Sequence, residues 1–230
     1  DITGEKYRNL KYQIDAVTKA ISIIDQHNGV IIADVVGLGK SIIASAIAFN
    51  MNLRTIIIAP PHLMPQWDDY RTDFWVNAKI YSSGKIAQAL EENDNDEQKL
   101  IIIDEAHKYR NEDTEDYANL HKLCQKNKVV LLSATPFNNR PQDIFALIRL
   151  LQITTKSTIR TVDNLSYQFR DLVKEFKKIK ESQKKKTKSD TQIKSEIEVL
   201  ADKIRDILSP LIIRRSRIDL DQIEEYKEDL

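Results

Sequence analysis

The sequence predicts an α/β fold with a parallel sheet and helices on both of its faces. Short runs of consecutive apolar residues, such as 30–33, 100–103 and 129–132, suit strands that are covered on both sides. Between them lie segments with apolar residues at helical spacing. Polar residues follow directly after each of the three runs. Open sheets of this class bind ligands at the carboxyl ends of their strands.

The first run, 30–33, is followed by a turn that predicts a phosphate-binding loop. The turn holds two of the five glycines in the chain and leads into a predicted helix at 41–49. Its backbone N–H groups would converge on an anion at a helix N-terminus, with a lysine for the β- and γ-phosphates and a hydroxyl for Mg²⁺. A chance glycine-rich turn is the alternative. The residues expected to bind nucleotide are Gly37, Leu38, Gly39, Lys40 and Ser41.

The second run, 100–103, leads directly into the sequence DEAH. At the carboxyl edge of a sheet, Asp104 could hold Mg²⁺ from the side opposite Ser41. Glu105 could take a proton from the water that attacks the γ-phosphorus. The alternative is an acidic pair at the start of a helix, where carboxylates are favoured in any case.

The third run, 129–132, is followed by the sequence SATP. Its proline ends the hydrogen bonding of the strand and biases the preceding residue away from the helical conformation. The hydroxyls of Ser133 and Thr135 could bond the acidic cluster, and we expect them, with His107, to couple the nucleotide state to the rest of the protein. A plain turn would use the same residues. Further strands are predicted near 55–59 and 78–81.

These segments resemble the first motor lobe of superfamily 2 helicase-like ATPases. The order is ADVVGLGKS, TIIIAPPHLMPQW, IIIDEAH and LLSATPFNNRPQDI, and it is most similar to SWI/SNF-type double-stranded DNA translocases, whose phosphate loop also begins with Asp. The resemblance implies a P-loop NTPase fold of the RecA-like type that uses ATP and Mg²⁺. It implies that Lys40 and Glu105 are catalytic, that Ser41 and Asp104 hold the metal, and that double-stranded DNA and a second motor lobe are partners.

Other segments extend the resemblance over most of the chain. Gln13, in LKYQIDAV, resembles the residue that recognises adenine in this family. Its amide can donate a hydrogen bond to adenine and accept one from it. The alternative is a glutamine on the protein surface without this role. The resemblance implies that Pro60, Pro61 and His62 form a loop that grips the nucleic-acid backbone. Residues 208–216, LSPLIIRRS, are similar to the paired-arginine segment that ends the first lobe.

Two departures from the family pattern leave alternatives open. The third segment reads SATP where SWI/SNF-type enzymes more often have Gly-Thr-Pro, and 230 residues are too few for a second lobe. A DEAH-type RNA helicase, the motor subunit of a restriction-type system and a nucleotide-sensing module without catalysis therefore remain possible. We expect the intact protein to be a DNA-stimulated ATPase and this fragment to hydrolyse ATP poorly.

Length and composition predict one lobe with an appendage. One core of about 150 residues is expected for a chain of this size, with an ATP-binding lobe at 1–155, a helical insertion at 156–208, and the end of the lobe with the start of a connector at 209–230. The start at Asp1 and the lack of a signal or membrane segment predict a fragment of a cytoplasmic protein, or a nuclear one in a eukaryote. The single cysteine excludes an internal disulfide.

Charge is balanced overall but uneven along the chain. The chain has 35 basic and 35 acidic residues. Between Arg170 and Lys188, however, there are nine basic and three acidic residues. This segment belongs to two predicted helices that would form an antiparallel hairpin, and its basic side could contact phosphates or simply be a solvated face.

Overall fold

A computed structural model of the chain describes residues 7, 10–33, 39–134 and 140–215. Its centre is a six-stranded sheet in which every neighbouring pair of strands is parallel. The predicted fold class is therefore confirmed. The strands are β1 (Gly29–Ile32), β2 (Thr55–Ala59), β3 (Ala78–Ser82), β4 (Leu100–Ile103), β5 (Lys128–Leu132) and β6 (Ile212–Ile213), in the spatial order β3-β2-β4-β5-β1-β6.

Eight α-helices lie in the described part of the chain. Short 3₁₀ helices occupy Pro61–Leu63, Ala106–Tyr109 and Ser209–Leu211. Among the described residues, no helix has both the length and the apolar character needed to cross a bilayer. The α-helices are α1 (Lys11–His27), α2 (Lys40–Met51), α3 (Met64–Asp73), α4 (Ile86–Glu92), α5 (Glu115–Cys124), α6 (Pro141–Arg149), α7 (Leu165–Lys184) and α8 (Asp190–Leu208).

Successive side chains along each strand point to opposite faces of the sheet, and this alternation divides the core into two layers. In β4, Leu100 and Ile102 face the layer formed with α1, α2 and α3, whereas Ile101 and Ile103 face the layer formed with α4 to α8. Both sides of each central strand are thus buried, which explains the uninterrupted apolar runs. The residue that follows Ile103 continues the alternation and emerges on the side of α2 and α3.

Helices α7 and α8 form the predicted hairpin. Asn164 caps α7, and Ser189 forms a capping box with Gln192 at the start of α8, so both helix starts are fixed by local hydrogen bonds. Phe169 of α7 stacks on Phe145 of α6, with ring centroids 5.0 Å apart. The chain then returns to the sheet as β6, a two-residue strand beside β1 that the sequence did not predict.

Candidate nucleotide-binding site

The order of the strands brings three distant segments to one edge of the sheet. Strand β5 lies between β1 and β4, so the carboxyl ends of these three strands are neighbours. The ladder extends one residue past the strands, because the N–H of Asp104 donates to the carbonyl of Ile58 and that of Ser133 to the carbonyl of Ile32. Asp104 and Ser133 are therefore held at the rim by backbone bonds on neighbouring strands.

The described half of the predicted phosphate loop lies at the start of α2. Gly39 precedes the helix with φ 77° and ψ 39°, a left-handed conformation that favours glycine. The helix has no side-chain cap and no acidic residue in its first turn, so its first N–H groups can donate hydrogen bonds to an anion. Lys40 and Ser41 form its first two positions. Gly37 and Leu38, which are also predicted to bind nucleotide, lie outside the described residues.

Asp104 is a buried carboxylate held by two hydrogen bonds. The backbone N–H of Glu105 donates to Oδ1 at 2.8 Å, and the indole N–H of Trp67 donates to Oδ2 at 2.9 Å. Burial raises the pKa of Asp104; the two hydrogen bonds oppose this increase, the charge of Glu105 adds to it, and the ammonium of Lys40 lowers the pKa. The strand order places both residues at the same edge of the sheet, and the influence of Lys40 on the Asp104 carboxyl agrees with this placement, although 64 positions separate them in the sequence.

Trp67 is a site residue for which the sequence predicted no individual role. It is the one buried residue of the otherwise polar α3 and packs edge-on against Tyr70, with ring centroids 6.0 Å apart. The presence of a tryptophan, the largest apolar side chain, in a helix rich in polar residues was the signal that could have indicated it. Because α3 directly follows the 3₁₀ helix at Pro61–Leu63, the indole connects the segment after β2 to the carboxylate after β4.

Glu105 does not start an α-helix, which was the alternative for the acidic pair. Its backbone is left-handed, with φ 52° and ψ 43°, and a 3₁₀ helix follows at Ala106–Tyr109. Left-handed non-glycine residues are uncommon and cluster at functional sites. The Glu105 carboxylate lies 3.4 Å from Nε2 of His107, and 37% of its side chain is exposed. It can therefore meet solvent at the rim of the sheet.

Two buried polar atoms near this rim lack hydrogen-bond partners among the described residues. They are Nδ1 of His107 and Oγ of Ser133. Buried polar atoms are nearly always paired in native structures, so these two atoms are candidates for bonds that form in another state of the site. Thr135, the third residue expected to couple the nucleotide state, lies outside the described residues.

Gln13 lies on α1, and its amide packs against Gly39. A Cβ atom placed on Gly39 would collide with Nε2 of Gln13. The residue predicted to read adenine is therefore next to the predicted phosphate loop, on the same edge of the sheet. Arg215, near the end of the described chain, donates from Nη1 to the backbone carbonyl of Tyr12, the neighbour of Gln13.

We predict that Gly39→Ala weakens nucleotide binding more than Gly84→Ala does. At Gly39 an alanine would keep an unfavourable left-handed φ, at about 1–2 kcal/mol, and would displace Gln13. A Cβ on Gly84 would meet only Oγ of Ser82, at 4.0 Å. Thermal unfolding and fluorescent-nucleotide titration measure both effects; equal behaviour of the two variants would contradict the prediction.

The predicted nucleic-acid loop follows β2 on the same edge. Pro60 is buried, whereas Pro61 and His62, in the 3₁₀ helix, are exposed. The two exposed residues are the ones that an external partner could reach. Of the three predicted residues, Pro60 therefore packs inside the protein, and Pro61 and His62 are accessible from solvent.

A separate cavity lies at the opposite edge, near the amino ends of the strands. It has a volume of about 470 Å³ and includes Asn28, Asn127 and Gln152 in its lining. Gln152 donates to the carbonyl of His27 at 2.7 Å and to Oγ1 of Thr158 at 2.9 Å. None of the predicted site residues that the structure describes lines this cavity. Its polar network ties the loop after α6 to the end of α1.

Comparisons with known proteins give one family and several relatives. Residues 69–228 match the family described as SNF2-related domain. An uncharacterized ATP-dependent helicase of Bacillus subtilis (strain 168), YqhH, is 31% identical over 62% of this chain and 29% of that protein. The chromatin structure-remodeling complex protein SYD of Arabidopsis thaliana is 22% identical over 93% of this chain and 7% of that protein.

A solved structure resembles the whole described fold. The Sulfolobus solfataricus SWI2/SNF2 ATPase core in complex with dsDNA matches with a TM-score of 0.69 and 19% identity, over 96% of this chain and 47% of that chain. This level of identity supports the fold alone. The chain thus spans about half of the matched structure and less than a third of these two relatives.

Proposed function

The chain belongs to the SNF2-related domain family, and from this premise we propose that it is the ATP-binding lobe of an ATP-dependent DNA translocase. The observation that carries the proposal is that Lys40, at the start of the helix after β1, and Asp104, directly after β4, lie at one edge of the sheet, where only β5 separates the two strands. In agreement with this placement, the ammonium of Lys40 lowers the pKa of the Asp104 carboxyl. A lysine and an acidic residue at the rim of a parallel sheet are the charges that bind a magnesium-nucleotide in P-loop enzymes.

ATP binds, in this proposal, with its phosphates at the start of α2. The uncapped N–H groups and Lys40 stabilise the negative charge of the phosphates. Gln13 lies beside Gly39 and contacts the adenine, because its amide can donate and accept at once. Loss of the Lys40 charge would therefore weaken binding of any nucleoside triphosphate, whereas Gln13 would select among bases.

Ser41 and Asp104 are the residues that would hold Mg²⁺. The metal prefers hard oxygen ligands such as hydroxyl and carboxylate. Within the described part of the chain, each carboxylate oxygen of Asp104 accepts one hydrogen bond, which leaves it further acceptor capacity. When bound, Mg²⁺ neutralises charge on the transferred phosphoryl group. Trp67 and the N–H of Glu105 orient the Asp104 carboxylate for this role.

Glu105 is proposed to orient and deprotonate the attacking water. Its carboxylate is one residue beyond Asp104 and remains partly exposed, so it can reach both solvent and the phosphate site. Its backbone takes the left-handed conformation, which in non-glycine residues clusters at functional sites. His107 and Ser133, with their unpaired buried atoms, are proposed to form new bonds when the nucleotide state changes.

A second lobe is proposed to complete the catalytic site in the intact protein. An arginine supplied from outside can raise the rate of phosphoryl transfer by about 10³- to 10⁵-fold. Arg215 is bonded to the backbone of α1, which favours a structural role for it in joining the end of the lobe to α1. We therefore expect this fragment to hydrolyse ATP slowly.

Double-stranded DNA is the proposed partner, with Pro61 and His62 among its contacts. These residues are exposed on the edge that also carries the nucleotide site, so a bound backbone could influence α3 and, through Trp67, Asp104. A DEAH-type RNA helicase would use the same catalytic residues and is the second candidate. We place the intact protein in the bacterial cytoplasm, in keeping with the relative from B. subtilis.

The ATPase activity of the intact protein tests this function. We expect duplex DNA to stimulate turnover more than RNA does, and we expect the 230-residue fragment to stay slow with either nucleic acid. Stimulation by RNA alone would favour the helicase alternative. An intact protein that binds ATP without hydrolysing it, with or without nucleic acid, would overturn the proposal in favour of a sensing module.

A further inference from the structure

The two helices of the hairpin carry opposite charges. From Asp190 to Leu208, α8 has five acidic and three basic residues, whereas the segment from Arg170 to Lys188 has nine basic and three acidic ones. The chain as a whole is neutral. The positive charge is therefore concentrated on one helix and its following turn.

The basic residues of α7 share its solvent side. Leu165, Phe169, Leu172 and Ile179 are buried in the core, and the opposite side of the helix is exposed. Positions three or four apart in a helix lie on one face. The exposed residues Arg170, Lys174, Lys177, Lys178 and Lys184, which we call the basic face of α7, follow this spacing over about 21 Å at 1.5 Å per residue. One acidic residue, Glu181, interrupts them.

Few of these charges are neutralised within the protein. Lys174 lies 3.7 Å from Asp171, and both side chains are well exposed, so the pair is weak. Among the described residues, Lys177, Lys178 and Lys184 form no ion pair. The other acidic side chain of this surface, Glu175, bonds Lys203 of α8 at 2.9 Å. The basic face thus retains most of its charge for an external partner.

At one end of the basic face, an arginine lies beside an aromatic ring. The guanidinium of Arg170 lies 5.0 Å from the ring centre of Tyr167, whose residue is 61% exposed. An aromatic ring against the face of a guanidinium restricts the arginine side chain. The N–H donors, which lie in the plane of the guanidinium, can still bond a partner. An exposed arginine-tyrosine pair followed by spaced lysines is a suitable surface for phosphate groups.

We propose that the basic face of α7 binds the phosphate backbone of duplex DNA, as a contact separate from the segment at Pro61 and His62. The inference rests on the proposed function. A duplex presents one negative charge per about 1.7 Å of its axis, so a row of like charges along a helix can meet it without a defined sequence. Acidic protein surfaces usually mix both signs of charge and would leave much of the row unpaired.

The test compares two variants of the intact protein that lose the same charge. In the first, Lys174, Lys177, Lys178 and Lys184 become glutamine, which has a helix propensity similar to that of lysine. In the control, four exposed lysines elsewhere, Lys19, Lys122, Lys126 and Lys156, become glutamine. Fluorescence anisotropy with duplex DNA at several salt concentrations gives the affinity and its salt dependence.

We expect the first variant to lose about 3 to 4 units from the slope of log K against log salt, because each phosphate contact contributes about 0.9. The control should lose less than one unit, and ATPase activity without DNA should be unchanged in both. Equal slopes for the two variants would overturn this inference alone. A wild-type protein that binds no duplex would overturn the proposed function as well.

A further arm of the experiment distinguishes the class of partner. Poly-glutamate competes for charge but lacks the dense, regular phosphates of a duplex. If poly-glutamate displaced DNA from the wild type as effectively as unlabelled duplex does, at equal charge concentration, the face would be a site for acidic polypeptides and the inference would be wrong. We expect it to compete poorly.

Discussion

Glu105→Gln in the intact protein is expected to lower the rate of DNA-stimulated ATP hydrolysis by about 10²- to 10⁴-fold, the usual contribution of a general base. Glutamine keeps the size of the side chain and can still orient a water molecule, but it cannot accept the proton. ATP binding should persist, because Lys40 and the start of α2 are untouched. Steady-state turnover and retention of labelled ATP measure the two steps separately.

Controls for this prediction separate hydrolysis from binding and from folding. Glu91→Gln changes an exposed carboxylate on α4, outside the candidate site, and should leave turnover unaltered. Lys40→Ala should instead abolish tight ATP binding, because it removes the charge that faces the phosphates. If Glu105→Gln lost ATP binding as completely as Lys40→Ala, the residue would be structural; if it retained normal turnover, another group would be the base.

The strands could be predicted because their physical requirements are local. A strand covered on both faces must be continuously apolar, and the runs at 55–59 and 100–103 agree with β2 and β4 to the residue. The runs at 30–33 and 129–132 agree with β1 and β5 within one residue. Strand β6 has two residues and follows a proline-containing 3₁₀ helix, too short a segment to show a period.

The partners of the site residues could be predicted only in part. Parallel strands predict that Asp104 and Ser133 reach one edge, and alternation predicts the side on which Asp104 emerges. The bond from Trp67 to Asp104 depends on how α3 packs against the sheet, and the contact of Gln13 with Gly39 depends on how α1 packs against α2. Contacts of this kind depend on how elements distant in the sequence pack together, so no short segment of sequence can predict them.

The backbone conformation of Glu105 could not be predicted from the sequence either. Acidic residues favour the first turn of a helix, so the sequence offered a helix start as the alternative, whereas the chain takes a left-handed turn at Glu105. The rim of the sheet explains the difference, because Asp104 still continues the ladder and its Oδ1 accepts the N–H of Glu105. That bond fixes the turn and sets the two carboxylates apart.

Trp67→Phe is expected to raise the Mg²⁺ concentration needed for half-maximal ATPase activity of the intact protein by about 10- to 100-fold, the usual effect of removing a residue that supports a metal ligand. Phenylalanine keeps most of the aromatic packing but cannot donate to Oδ2 of Asp104. The carboxylate is buried, and loss of a donor to its charged form raises its pKa further. The Mg²⁺ requirement should therefore increase more steeply in the variant as the pH falls.

The second tryptophan of the chain provides the matched control. Trp75 is 77% exposed, so Trp75→Phe makes the same chemical change without affecting the carboxylate, and we expect its Mg²⁺ titration to match the wild type. Saturating Mg²⁺ should restore turnover in Trp67→Phe, since Glu105 and Lys40 remain. Turnover that stays low at every Mg²⁺ concentration would mean that Trp67 acts through packing alone. An unchanged Mg²⁺ requirement would mean that its bond to Asp104 does not support metal binding.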